Sequence, residues 1–228
     1  MAGVVTVGYW PNLLIASLEK LTPRVLWRAH TTENVLALTF DDGPDSRYTP
    51  ELLSILATHE TRATFFLVGE RARRFPEIVA AIRDAGHEIA NHTDATARTI
   101  GVIGVEFEQS LLRAEETLGL AGTAPKFFRP AGGFIRPAQM DIAVRRGYTV
   151  TLGSGYALDP YRPPVDYMVW QMSRSLAAGA ILVMHDAGGD RSGTLRAVER
   201  VIPLAKGRCF RFVTLTELVN LAANRTPN

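Results

Sequence analysis

The sequence predicts an α/β fold of the βα-barrel type, and three observations lead to that prediction. Short apolar segments rich in β-branched and aromatic residues alternate seven times with helical patterns after residue 34. Such alternation indicates a mostly parallel sheet covered by helices. Polar residues of the kinds used in catalysis follow several of these strands, at the end where barrel enzymes place their active sites. A closed or distorted barrel therefore explains the pattern better than an open doubly wound sheet, whose ligands collect at one switch point.

Seven strands and seven helices are predicted in alternation. The strands are short and apolar, and they cover residues 35–40, 63–68, 88–91, 126–129, 148–152, 180–184 and 210–214. The helices cover residues 50–59, 75–85, 105–119, 137–146, 166–178, 194–204 and 215–222. Pro50 and Pro137 lie in first helical turns, where a missing N–H costs nothing. Gly86 and Gly147 follow helix ends, where a left-handed residue is favoured.

Composition narrows the classes of function. The chain has 228 residues, of which 46% are apolar, and this suits one large domain with a substantial core. A net charge of +2 is too small to favour a nucleic-acid partner. The single cysteine, Cys209, can form no internal disulfide, so nothing in the sequence indicates an oxidising compartment.

The first 34 residues are interpreted as an apolar, helical extension, and residues 35–228 as the catalytic barrel. No run approaches the 18 or so apolar residues of a membrane span. Residues 11–18 are expected to form a short amphipathic helix that packs on the barrel. Because no Lys or Arg precedes Lys20, a secretory signal is not predicted. The expected location is cytoplasmic, with the cell envelope or secretion as the alternative if a leader has been removed.

The most informative motif is Asp41-Asp42-Gly43-Pro44, which follows the first predicted strand. Two adjacent carboxylates at the end of a buried strand repel each other, and a cation between them relieves that repulsion. A divalent metal can bind one carboxylate and leave the other as a base toward water. The alternative is an ordinary polar turn, since Asp, Gly and Pro are common turn residues.

Further polar residues end other predicted strands. His92 follows the third strand and suits a metal ligand, although most lone histidines are structural. Arg129 ends the fourth strand and can hold a carboxylate with its planar fork. His185 follows the apolar sixth strand, where it can give or take a proton, and Asp159 is expected to orient its imidazole. His87, at the opposite end of the third strand, is interpreted as structural.

These motifs, in this order, resemble those of the polysaccharide deacetylase family, which is carbohydrate esterase family four or the NodB-homology family. The resemblance covers about residues 35–217 and rests on Thr39-Phe40-Asp41-Asp42-Gly43-Pro44, Asn91-His92-Thr93, Arg129-Pro130 with the following glycines, Asp159, and Leu182-Val183-Met184-His185-Asp186. It implies a single-domain, distorted seven-stranded βα barrel. The implied activity is metal-dependent hydrolysis of N-acetyl groups on amino sugars of the chitooligosaccharide or peptidoglycan type.

The resemblance also implies roles for the four residues expected to take part in catalysis. Asp41 is expected to be the general base, held in place by Arg129. His185 is expected to be the general acid, tethered by Asp159. These roles together describe an amidohydrolase that acts on a carbon–nitrogen bond other than a peptide bond.

The remaining implied roles concern the metal and the substrate. Asp42 and His92 are expected to bind a divalent metal, with zinc as the expected ion. Leu182, Tyr156 and Pro130 are expected to contact the carbohydrate substrate, and Leu182 is expected to line the pocket for the acetyl methyl group.

The chain departs from the family pattern in the second motif, where Thr96 stands in place of a second histidine. An oxygen of Asp94, or water, is the expected replacement for the lost imidazole ligand; the third alternative is a site that binds metal weakly. Two alternatives to a sugar deacetylase stay open at this point. One is a degenerate barrel that binds carbohydrate without catalysis, and the other is a hydrolase of a different non-peptide amide.

A second departure removes aromatic side chains from the expected groove. Pro160 and Gly153 stand where the family carries tryptophans. Tyr156 and Tyr161 are expected to provide apolar surface for the sugar instead.

Overall fold

The structure is a computed structural model that describes residues 17–95, 99–102 and 104–224. In this part of the chain, parallel strands form one curled sheet in the order β5-β4-β3-β2-β1-β7-β6, with β8 paired to the first residues of β1. The strands are β1 (Val35–Asp41), β2 (Thr64–Leu67), β3 (Glu88–Asn91), β4 (Lys126–Phe128), β5 (Tyr148–Val150), β6 (Gly155–Tyr156), β7 (Ile181–His185) and β8 (Arg211–Val213).

Helices cover the outside of this sheet. They are α1 (Tyr48–Thr58), α2 (Gly69–Arg74), α3 (Pro76–Asp84), α4 (Gly104–Thr117), α5 (Pro137–Arg145), α6 (Val165–Arg174), α7 (Ser192–Gly207) and α8 (Leu215–Ala223). All seven predicted strands and all seven predicted helices are present, with boundaries shifted by a few residues. Among the described residues, strand β6 and α-helix α2 were not predicted, because two and six residues are too short to show a hydrophobic period.

The central strand β1 sets the register of the site. Its residues are all buried, and Asp41 is aligned with Phe66 on β2 and with His185 on β7. Because side chains alternate along a strand, Ala37, Thr39 and Asp41 share the inner face of the barrel. The intervening residues of β1 pack outward against α1, α3, α6 and α7 in the largest apolar cluster.

The segment just before β1 forms part of the barrel wall. Leu26 donates its N–H to the Val150 carbonyl, and its own carbonyl accepts the Leu152 N–H. Ala29 donates its N–H to the Gly179 carbonyl. This segment lies within the extension predicted for residues 1–34. The domain boundary at residue 34 stays a prediction. Most of the predicted helix 11–18 falls outside the described residues, although residues 17–21 are helical. No helix in the described ranges is long and apolar enough to cross a membrane.

His87 is a buried structural histidine, as interpreted from the sequence. Its Nδ1 accepts the Ala63 N–H at 3.2 Å, and the ring packs against Phe65. Burial, assisted by the charge of Arg62, lowers the pKa of His87 to about 4.

We expect His87 to make the fold less stable in acid. The pKa of His87 in the folded state lies below its ordinary value of 6.5, so between pH 6.5 and 4 the unfolded chain binds a proton that the folded chain does not. The free energy of unfolding therefore decreases by up to about 3 kcal/mol as the pH falls through that window. Urea unfolding at several pH values should show a smaller fall for His87→Gln, whose side-chain carbonyl keeps an acceptor for Ala63. An unchanged pH dependence in this variant would rule out His87 as the cause.

Candidate active site

The buried ion pair between Asp41 and Arg129 lies at the centre of the candidate site. Asp41 ends β1 and is 4% exposed, and Arg129 directly follows β4 and is 2% exposed. Arg129 Nη1 donates to Asp41 Oδ1 at 2.6 Å. The family resemblance implied this contact, and the barrel brings together the two residues, which are 88 apart in the sequence.

The guanidinium of Arg129 is fixed on every side. Nη1 also donates to the Thr39 hydroxyl at 2.8 Å, and the other nitrogens donate to the carbonyls of Thr151 and Leu152. The Phe66 ring lies beneath the guanidinium, with its centroid 4.0 Å from Cζ. With its donors directed in this way, Arg129 holds the Asp41 carboxylate in a single orientation.

His185 and Asp159 form the second pair of the site. The Nδ1 of His185 lies 3.0 Å from Asp159 Oδ1, and the His185 backbone N–H donates to Oδ2 at 2.8 Å. Burial opposes the charged imidazole, but the hydrogen bond and charge of Asp159, together with Asp41 and Asp42, raise the pKa of His185 above its ordinary value. With Nδ1 bonded to the carboxylate, Nε2 is left for proton transfer.

Asp159 is itself held by α7 and the turn before it. Thr194 donates its hydroxyl to Asp159 Oδ2 at 3.0 Å, and Arg191 donates to the Asp159 carbonyl at 3.2 Å. The flanking residues Leu158 and Arg162 both have left-handed φ values, of 59° and 53°. This turn places the buried Asp159 carboxylate next to Nδ1 of His185.

Asp42 and His92 are suited to hold a metal. Asp42 Oδ1 lies 3.4 Å from His92 Nε2. Two ligand atoms of a tetrahedral zinc site with bonds of about 2.0–2.2 Å are separated by a similar distance. His92 Nδ1 lies 2.8 Å from the Arg129 carbonyl and can only donate to it, so Nε2 carries the free lone pair. Asp42 has a left-handed φ of 72°, which turns its carboxylate away from that of Asp41.

The charge state of Asp42 suits a ligand as well. Burial alone would raise its pKa, but the hydrogen bond and charge of His92, with the charges of His185 and Arg71, bring the pKa to about 2. The group is therefore an ionised acceptor at neutral pH.

A third protein ligand is not present among residues 17–95, 99–102 and 104–224, where no group of three His, Cys, Asp or Glu side chains could share an ion. The expectation that Asp94 supplies an oxygen is wrong. Its carboxylate is taken by Arg73 at 2.6 Å and by Arg113 at 3.1 Å, because the Asp94 turn packs on α2 and α4. Thr96 lies outside the described residues.

The prediction that Leu182 lines the substrate pocket is corrected by the structure. Leu182 is aligned with Leu38 and packs in the outer cluster with the helices. Strand alternation instead places Val183 on the inner face, aligned with Thr39 on β1 and Tyr156 on β6. Val183 is therefore the β7 residue that faces the barrel interior beside His185.

Gly153 and Tyr156 shape the part of the site where the family carries an aromatic wall. A Cβ on Gly153 would collide with Val183, so that position has no room for a side chain. Tyr156 is half-buried, and burial raises its pKa to about 12; Asp41 acts in the same direction and Arg129 opposes it. Tyr156 is thus a neutral hydroxyl close to the Asp41–Arg129 pair.

The other two expected substrate contacts lie at the mouth. Tyr161 is 83% exposed on the turn that carries Asp159, and Pro130 is buried directly after Arg129. Their contact with substrate, like that of Tyr156, stays a prediction.

Comparison with known proteins identifies the family. The model of the polysaccharide deacetylase family matches residues 28–151. A peptidoglycan-N-acetylglucosamine deacetylase from Bacillus cereus is 36% identical over 210 residues, which cover 91% of this chain and 98% of that protein. The chain belongs to the polysaccharide deacetylase family. The deacetylase activity predicted from the sequence, on a carbon–nitrogen bond other than a peptide bond, is thereby confirmed.

Solved structures of this family confirm the distorted (β/α)7 barrel. A peptidoglycan N-acetylglucosamine deacetylase in complex with a naphthyl N-hydroxybenzamide is 33% identical, with a TM-score of 0.83 over 89% of this chain and 96% of that chain. A family-four pseudoenzyme from Bacillus anthracis is 27% identical, with a TM-score of 0.78 over 90% of this chain and 72% of that chain. Enzymatic activity has been restored in a variant of that pseudoenzyme.

Several supporting residues were missed by sequence reasoning. The period-two alternation of β1 and β7 could have assigned Thr39 and Val183 to the inner face, since they stand two residues before Asp41 and His185. Arg191 and Thr194 gave no signal, because an Arg and a Thr at the start of a helix are ordinary there.

Proposed function

We propose that this deacetylase removes the acetyl group from N-acetylglucosamine residues of peptidoglycan, using Asp41 as base, His185 as acid, and Asp42 and His92 as metal ligands. The observation that carries the proposal is the pair of contacts, Arg129 to Asp41 and Asp159 to His185, at the same end of the parallel sheet as the Asp42 and His92 donors. The sugar polymer is inferred from the Bacillus cereus relative. Acetate release from peptidoglycan and from N-acetylglucosamine oligomers tests both parts.

The geometry supports one order of proton transfers. Asp41 accepts a proton from the attacking water, and Arg129 keeps the carboxylate in place while it does so. As the carbon–nitrogen bond breaks, His185 donates the proton on Nε2 to the leaving amine, and Asp159 stabilises the imidazolium until then. A divalent metal held by Asp42 and His92 would activate water and stabilise the negative charge that develops on the acetyl oxygen.

The metal site can be tested without any substrate. We expect the metal-free protein to bind one zinc ion in calorimetry, and Asp42→Asn and His92→Ala to weaken that binding by at least about tenfold. Asn tolerates the left-handed φ at position 42, so this variant removes the charge and keeps the turn.

His59→Ala is the matched control, since His59 lies at the end of α1 and outside the site. Equal zinc affinity in the wild type, Asp42→Asn and His92→Ala would contradict the assigned ligands.

The sequence left open a barrel that binds carbohydrate without catalysis, and the deacetylase relatives argue against it. The features on its side are the lack of a third metal ligand within the described ranges and the similarity to a pseudoenzyme. Sugar binding without acetate release in a zinc-loaded protein would contradict the proposed function.

A further inference from the structure

Asp186 is a buried carboxyl group that the proton transfers described above do not use. It follows His185 at the end of β7 and is 0% exposed. The Thr49 hydroxyl on α1 donates to Asp186 Oδ2 at 2.5 Å. The same hydroxyl oxygen accepts the Asp45 N–H at 2.8 Å. The other oxygen, Oδ1, has no hydrogen-bond partner within the described part of the chain. Burial raises the pKa of Asp186 to about 7.

The Asp186 carboxyl group lies directly against the turn that carries Asp42. A Cβ on Gly43 would lie 2.6 Å from Asp186 Oδ1 and 2.7 Å from Oδ2. Gly43 has no left-handed φ, whereas Asp42 does. Glycine is therefore needed at position 43 for the close approach of Asp186 and not for its backbone conformation.

The loop after β7, which begins with Asp186, also contacts the Asp41–Asp42 segment at a second place. A Cβ on Gly188 would lie 3.2 Å from Asp42 Oδ2, and the Asp186 backbone N–H donates to the Asp41 carbonyl at 3.4 Å. The loop after β7 thus packs on both the backbone and the side chain of the turn.

We propose that Asp186 is a positioning residue for the metal site, because its carboxyl group supports the Asp42–Gly43 turn and so keeps the Asp42 carboxylate opposite His92. The proposal rests on the proposed function, in which Asp42 and His92 are the ligands. It assigns Asp186 a role through shape and contact, with no bond to the metal or the substrate.

Zinc calorimetry on the metal-free protein tests this role. We expect Asp186→Ala to weaken zinc binding by about tenfold or more, the cost usual for groups that orient ligands. Asp186→Asn, which has the same shape, should bind zinc within about threefold of the wild type. Val201→Ala in α7 is the control for lost stability, since it removes buried volume far from the turn and should leave zinc affinity unchanged. Wild-type affinity in Asp186→Ala, or an equal loss in Asp186→Asn, would overturn the proposal.

A double substitution tests the contact independently of metal. Gly43→Ala should lower the melting temperature, because its Cβ meets the Asp186 carboxyl. Gly43→Ala combined with Asp186→Ala should melt higher than Gly43→Ala alone, since the second change removes the atoms that collide. If the double variant melts lower than Gly43→Ala, the two groups are not in the contact described and the proposal fails.

The results separate this proposal from the proposed function. A wild-type protein that binds no zinc would overturn the metal site and the positioning role together. Zinc binding that depends on Asp42 and His92 but not on Asp186 would overturn the positioning role alone.

Discussion

Asp41→Asn should lower the rate of deacetylation by ~10²–10⁴ and leave the fold intact. Asn has the shape of Asp but cannot accept a proton from water. Arg129 should stay in place in this variant, because Thr39, Thr151 and Leu152 also accept its hydrogen bonds. The loss should therefore appear in kcat, with little change in zinc affinity.

Acetate release from N-acetylglucosamine oligomers, measured beside a melting curve, gives both quantities. Asp166→Asn is the matched control, since this carboxylate pairs with Arg200 on the surface of α6 and α7. A near-normal kcat in Asp41→Asn would exclude Asp41 as the base.

His185→Ala should slow amide hydrolysis by a similar factor of ~10²–10⁴ and largely spare an activated aryl acetate. An amine leaves poorly unless it is protonated, whereas an aryl oxide leaves without a proton. Comparing the two substrates thus isolates the proton donated by His185. Equal slowing of both would show that the imidazole acts in some other step.

The pH dependence of the same reaction tests the role of Asp159. His185 must be protonated to act, so activity should fall as pH rises through its raised pKa. Asp159→Asn removes the charge that favours the imidazolium, and this alkaline limb should move to lower pH. An unmoved limb would indicate that the limb reports a different group.

The sequence was sufficient to predict the order of elements and the residues of the two pairs, Asp41 with Arg129 and Asp159 with His185. Apolar runs end in Asp41, Arg129 and His185, and parallel strands bring such ends to one mouth. The family motifs then assigned a partner to each residue. These inferences succeed because a polar group at a buried strand end is costly unless it has a partner or a function.

Side-chain pairing was decided by the tertiary structure. Leu182 and Val183 are both apolar and adjacent, and although alternation back from His185 favours Val183 for the interior, the register of β7 against β1 is what sets Val183 beside Thr39. Asp94 is a residue type that can bind a metal, but its two carboxylate oxygens accept hydrogen bonds from Arg73 on α2 and Arg113 on α4.

Gly43 shows the same division between sequence and structure. Its sequence context predicts a turn, and a turn is present, but the left-handed residue is Asp42. What requires glycine at this position is the carboxyl group of Asp186, which directly follows β7 and lies more than 140 residues later in the sequence. The sequence by itself determined which residues end the strands, because strand periodicity and turn chemistry are local. The tertiary structure alone decided what each of those residues touches, since contacts between distant strands depend on register and packing.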